Sequence, residues 1–208
     1  MNRKDWTAIL IIGGGVGLLI QPILANNIPA QYLPYLTAPA RIGIFVFFLL
    51  FAPLALAIAR AVSRWIKSLY QFAEFAAVGT LNSFIDVGVL NLETFFYGGV
   101  VGTALFAAFK AVSFLCATTN SFLWNKYWTF NSTEKATAGQ VGGFYSIAIV
   151  GWVLNVGAAT FVKAIGPADS HVWVNIVAPV AGIAVSFAWN FIGYKYWVFK
   201  KKETLPAA

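Results

Sequence analysis

The chain is poor in charge. Only 10% of its 208 residues are Asp, Glu, Lys or Arg, where a soluble domain carries about 25%. One cysteine, Cys116, leaves no partner for an intrachain disulfide, and one histidine, His171, leaves no zinc or iron constellation. No Gly-x-Ser-x-Gly, no His-Glu-x-x-His and no cluster of carboxylates appears, so residues for hydrolysis or sugar transfer are missing. The run Gly13-Gly14-Gly15-Val16-Gly17 lacks the following Lys-Ser/Thr of a phosphate loop; its small-residue spacing suits close helix packing. These gaps point away from an enzyme and away from a cofactor.

What the chain has in excess is apolar length. Hydrophobic residues make up 60%, and the mean hydropathy is +0.75. A soluble domain of this size still exposes about a third of its chain, too much to hide such a composition. A soluble enzyme, a nucleic-acid-binding domain and a disordered chain are excluded together, and an all-α integral membrane protein is expected. Six stretches reach the roughly 20 apolar residues that a span needs: Thr7–Ala25, Arg41–Val62, Phe72–Phe96, Val101–Asn125, Val141–Lys163 and Val172–Tyr194. Pro29, Pro34 and Pro39, the Gly98-Gly99 pair and Gly166-Pro167 fall between them as breakers. Met1–Ala25 has the outline of a signal peptide, but we expect it to be retained as a helix.

The net charge of +7 then reads as topology. Arg3, Lys4, Arg60, Arg64, Lys67, Lys126, Lys135, Lys195 and Lys200 to Lys202 fall on one side of a six-span path, 11 of the 14 basic residues. The positive-inside rule puts that side, with both termini, in the cytoplasm.

The chain also repeats itself. Phe122-Leu-Trp-Asn-Lys-Tyr-Trp-Thr-Phe130 returns as Phe191-Ile-Gly-Tyr-Lys-Tyr-Trp-Val-Phe199, five identities in nine at an offset of 69. The same offset pairs Phe75 with Phe144 and Asp86-Val-Gly88 with Asn155-Val-Gly157. Similar helix ends explain shared composition but not a constant offset, so a duplication is expected, with copies at 73–130 and 142–199. Two spans per copy make the repeats parallel. The organisation is then an N-terminal two-helix extension, 1–70, and a duplicated four-helix core, 71–208.

The pattern Phe75-x-x-x-Gly79-x-x-Asn82-x-x-x-Asp86, followed by helices ending Phe-x-x-x-Lys-x-x-x-Phe, resembles the GtrA-like membrane proteins. That family includes membrane domains attached to dolichol-phosphate-mannose-type synthases, and the resemblance covers roughly residues 71–200. Its helix-end motif often reads Asn-Phe-x-x-Asn-Arg/Lys-x-x-x-Phe. The first copy keeps Asn125 and Lys126 with Ser121 in the first Asn position; the second keeps Asn190 and Lys195 with Tyr194 in the second. Membership implies flipping of a polyprenyl-phosphate-linked sugar, such as one on undecaprenyl phosphate, across the inner membrane for cell-envelope polysaccharide. Membrane lipid and that sugar lipid are the partners it implies, not nucleic acid. A cytoplasmic or membrane-bound glycosyltransferase and a second copy of the chain are the candidate protein partners.

Polar groups inside the spans are the candidate site. An ionisable group at mid-bilayer costs about 2.5–3.5 kcal/mol and needs a partner or a wet cavity. Asp86 and Lys110 each lie 12 residues from Gly98, about 18 Å along either helix, so an Asp86–Lys110 pair at one depth is expected. Such a pair either lines a path for a head group or only fixes helix register. Asn82, one turn from Asp86, and Asn155, its counterpart in the second copy, suit sugar hydroxyls or plain interhelical hydrogen bonds. Glu93, nearer the outer end, is expected to reach the interface. At the helix ends the rings of Tyr127, Trp128 and Phe130 and of Tyr196, Trp197 and Phe199 read as an aromatic belt. Lys126 and Lys195 read either as inside-positive anchors or as a seat for a lipid phosphate. Two rival functions remain, a non-transporting scaffold for a glycosyltransferase and a small-molecule exporter; an exporter's lone carboxylate fits poorly with a lysine at the same depth.

Overall fold

The computed structural model describes residues 1–98, 102–167, 173 and 177–200. Gly99, Val101, His171, the Val172 start of the last span and Lys201 and Lys202 lie outside the described residues. Every regular element among the described residues is helical. The chain forms two compact units, Met1–Asn131 and Ser132–Ala208.

The first unit holds α1 (Arg3–Asn27), a short 3-10 turn (Ala30–Tyr35), α2 (Ala38–Val62), α3 (Leu69–Tyr97) and α4 (Thr103–Trp124). Asn2 caps α1: its side chain accepts the Asp5 N–H at 2.8 Å, and the Asp5 carboxylate accepts the Asn2 N–H at 3.0 Å. This reciprocal box closes two of the free donors that a helix start leaves. Thr37 caps α2, and α3 stops at Gly98, whose φ of 95° is cheap only for glycine. Helix α1 packs against both α2 and α3. Its Ile9, Ile12 and Val16 bury against Leu56 of α2 and Val78 and Leu81 of α3. The small-residue run does what its spacing predicts: a Cβ on Gly13 would come within 2.6 Å of the Phe48 carbonyl oxygen, so α1 and α2 meet backbone to backbone.

The second unit holds α5 (Ala138–Ile165) and α6 (Ala178–Gly193). Thr137 caps α5 by accepting the Gln140 N–H at 3.1 Å. The two helices touch closely at Gly182, where a Cβ would fall 2.5 Å from the Asn155 carbonyl oxygen.

Five described helical stretches are long and apolar enough to cross a bilayer: Arg3–Ala25, Ala38–Val62, Leu69–Tyr97, Thr103–Thr129 and Ala138–Ile165. Their apolar side chains are largely exposed, among them Leu18, Phe47, Leu50, Trp152 and Phe161. In water that surface would be untenable; in a bilayer it is the lipid-facing side. The protein is a multi-pass membrane protein.

Helices α4 and α6 end alike. Each runs into a π-helical turn, Asn125–Thr129 and Tyr194–Val198, closed by the N–H of Phe130 on the Asn125 carbonyl and of Phe199 on the Tyr194 carbonyl, both at 2.8 Å. A glutamine at the start of the preceding helix braces each turn. Gln71 donates to the Thr129 carbonyl at 3.1 Å and Gln140 to the Val198 carbonyl at 3.3 Å. A phenylalanine one turn on packs its ring against the closing one, Phe75 on Phe130 and Phe144 on Phe199. Every one of these pairs is separated by the offset of 69.

Candidate functional site

The chemistry of the first unit lies along the seam between α3 and α4. Lys110 and Asp86 form an ion pair, Nζ to Oδ2 at 2.5 Å. Ser113 donates its hydroxyl to Asp86 Oδ1 at 2.7 Å. Farther from the hairpin, the Asn120 amide donates to Asn82 Oδ1 at 2.7 Å. The expected pair is therefore present, but its geometry differs from the expectation in one respect. Helix α3 runs to Tyr97 while α4 begins only at Thr103, so counting both arms from Gly98 misjudges the level. Asp86 stands eleven residues before the end of α3 and Ser113 ten into α4; Ser113 is its neighbour in depth, and Lys110 reaches it from a turn nearer the hairpin.

The pair is not sealed. Ser113 is fully buried, whereas the Asp86 and Lys110 side chains keep 25% and 43% of their surface exposed. A carboxylate and an ammonium that neutralise each other remain strongly polar, and hydrocarbon gives them nothing further to bond. The open edge of the seam is thus a place where a polar group gains by binding. Nearer the hairpin, Glu93 Oε2 is buried without a hydrogen-bond partner among the described residues.

The π-turn of the first unit is a second polar cluster. Asn125, Lys126 and Thr129 are buried. The Asn125 amide donates to the Ser121 carbonyl at 2.9 Å and lies 3.2 Å from its hydroxyl; Asn125 Oδ1 and Thr129 Oγ1 have no partner among the described residues. Lys126 is 0% exposed, with its ammonium 5.6 Å from the centre of the Tyr127 ring. Its charge is held inside the unit and is not presented to a head group. Glu74 is buried on α3 as well, as is Asp5 on α1.

Asp5 ties the cluster together. Besides the Asn2 N–H, it accepts the Tyr70 hydroxyl at 2.8 Å and the Trp128 indole N–H at 3.4 Å. Trp128, Phe130 and Phe199 are core residues at 5%, 5% and 3% exposed, not belt rings; Trp128 is held there by its bond to Asp5. Tyr127, Tyr196 and Trp197 are exposed, as belt rings are.

In the second unit the candidates are sparser. The Asn155 amide donates to the Ser186 hydroxyl at 3.3 Å, a single interhelical bond. Asn190 fills the space that the missing side chain of Gly151 leaves, its Oδ1 buried without a partner among the described residues. Lys195 is half-buried, its ammonium between the rings of Phe191 and Tyr196. Thus Asn82, Asp86 and Lys110 share one seam, Asn125 and Lys126 share one turn, and Asn155, Asn190 and Lys195 belong to the other unit.

Sequence reasoning passed over Asn120, Ser113 and Asp5. Asn120 carried a signal, an amide inside an apolar run; Ser113 carried none, since a serine in a membrane helix bonds its own backbone as readily as a neighbour. Asp5 was legible from Asn2-x-x-Asp5, the spacing of a capping box, and from being an acid in a basic flank.

A family model described as GtrA/DPMS, transmembrane domain, matches residues 74–199. No protein of curated function matches the chain.

Proposed function

The chain belongs to the GtrA/DPMS transmembrane-domain family, and on that premise we propose that it translocates a polyprenyl-phosphate-linked sugar across the cytoplasmic membrane for cell-envelope glycan synthesis. The observation that carries the reading is the half-open polar seam between α3 and α4. Asn82 and Asn120 offer amide donors and acceptors to sugar hydroxyls, and the Asp86–Lys110 pair supplies one of each charge at membrane depth. The sugar would pass along this edge while its prenyl chain stays in lipid.

The matched π-turns, glutamine braces and phenylalanine pairs support a duplicated core of two parallel hairpins. On this reading α6 is the C-terminal part of a sixth span, and both termini face the cytoplasm of a cell with an inner membrane. The protein performs no covalent step. It moves its lipid down the gradient made by a glycosyltransferase, which is its expected partner. A liposome assay tests this directly: purified protein with a labelled polyprenyl-phosphate sugar, scored by protection of the sugar from an external reagent. Protein-dependent exchange that is lost in Asp86→Ala and in Lys110→Ala supports translocation.

A second reading rests on the same pair. Asp86 and Lys110 satisfy each other, which suits a register lock in a scaffold that anchors a glycosyltransferase. Folded protein that gives no exchange but co-purifies with a glycosyltransferase favours the scaffold.

A further inference from the structure

Buried Lys126 offers a lipid phosphate no seat at the first turn, but the first unit has another candidate. At the end of the unit that carries the start of α1, a cavity of about 440 Å³ opens between α1 and the end of α4. Arg3 and Lys4 stand at its mouth, both exposed and neither in an ion pair among the described residues. Trp124, Tyr127 and Trp128 form its wall, with Ala8 and Ile11 below them. The wall is held in place: Asp5 accepts the Trp128 indole N–H, and Trp124 meets Trp128 edge-on at 5.9 Å. Asp5 itself is turned inward and occupied by three donors, so among the described residues it forms no ion pair with the two cations at the mouth, which together outnumber its one charge.

We propose that this groove seats the phosphate of a prenyl-phosphate lipid, with Arg3 and Lys4 as its counter-charges. Three features of the groove support this. Two free cations beside the start of a helix, whose dipole is positive there, attract a phosphate. Aromatic side chains at that depth suit the boundary between head group and chain. Below the mouth, Ile11 and Leu18 continue the face of α1 that begins with Lys4 and Thr7, and both are exposed, which offers a single prenyl chain an apolar track. The inference deepens the translocation reading by locating where the lipid is held before its sugar enters the seam. It also gives the N-terminal hairpin, which lies outside the matched family region, a task of its own.

The test is a titration of the delipidated protein in detergent, followed by native mass spectrometry. The probes are a short-chain prenyl phosphate, the matching prenyl alcohol, phosphatidylglycerol and inorganic phosphate. We expect retention of the prenyl phosphate above the other three, and a roughly 30-fold loss in Arg3→Gln/Lys4→Gln, since each cation near an anionic group contributes comparably. Lys135→Gln, a change of the same kind at an exposed loop position, is expected to bind as the wild type does. Trp124→Leu keeps every N-terminal charge, and so the topology signal, and is expected to weaken retention several-fold. Unchanged affinity in both groove variants overturns the proposal, as does equal retention of phosphatidylglycerol or inorganic phosphate. The liposome assay separates this outcome from the broader one. Binding without exchange keeps the groove and removes translocation; exchange with an unaltered KM in the double variant keeps translocation and removes the groove.

Discussion

The helix ends of the two units share a backbone and differ in what they hold. In both, a glutamine braces a π-turn and a phenylalanine pair closes it. In the first, the turn encloses Asn125, Lys126 and Thr129, and its Trp128 is buried against Asp5 of α1. In the second, Tyr194 takes the place of Asn125 and stacks on Phe144, ring centres 4.0 Å apart and nearly parallel. Trp197, the counterpart of Trp128, is 62% exposed. The seams differ in the same sense: among the described residues, Asp86, Lys110, Ser113, Asn82 and Asn120 gather in one, while the other has the Asn155–Ser186 bond and the Trp189 indole N–H on the Ile147 carbonyl. One backbone design thus tolerates either a polar or an aromatic filling, because a π-turn is sustained by its own carbonyls and its glutamine. The filling is free to serve chemistry, and the first unit is where the chemistry is concentrated.

The largest effect that bears on this contrast is expected at the ion pair. Asp86→Ala leaves the Lys110 ammonium uncompensated beside a bilayer and should cost about 2.5–3.5 kcal/mol. The double variant Asp86→Ala/Lys110→Ala should recover a good part of that, measured by thermal unfolding in detergent. If Asn155→Ala destabilises as much as Asp86→Ala, the contrast between the seams fails. Next comes the Asp5 clasp. Asp5→Ala strands the Tyr70 hydroxyl and the Trp128 N–H in a buried site, at about 1–3 kcal/mol. Trp197→Ala, at an exposed ring, should change the midpoint of the same unfolding curve far less.

The glutamine braces sharpen the likeness. Gln71→Ala and Gln140→Ala should each cost about 1 kcal/mol, and by similar amounts. A large effect of one alone, read as accelerated amide exchange at Phe130 or Phe199, would mean that the turns are not held alike. The smallest expected change is Asn155→Ala, about 0.6 kcal/mol for one interhelical bond in a membrane.

Much of the fold was legible without coordinates. A membrane span is a property of local composition, so the helices α1 to α5 stand close to the expected boundaries. The offset of 69 was visible at Phe75 and Phe144, and it proves to extend to Gln71 and Gln140, whose matched role appears only once the turns are seen. The Asp86–Lys110 contact was also legible, because two opposite charges in adjacent apolar helices have few other places to go. Its level was not, since the length of chain between α3 and α4 decides which residues face each other. The burial of Lys126 had no signal: a lysine at a helix end reads as an anchor wherever its side chain points.

Composition and spacing alone establish a membrane protein of apolar helices, with polar residues inside them and a recurring helix end. Hydropathy, spacing and repetition are written along the chain and need no partner to be read. It takes the packed helices to show that Ser113 shares Asp86, that Asn120 meets Asn82, and that α1 lays Asp5 against Trp128 and opens a cationic groove beside it. Those outcomes depend on how each helix is rotated and how far it slides against its neighbour, which packing settles across distant parts of the chain.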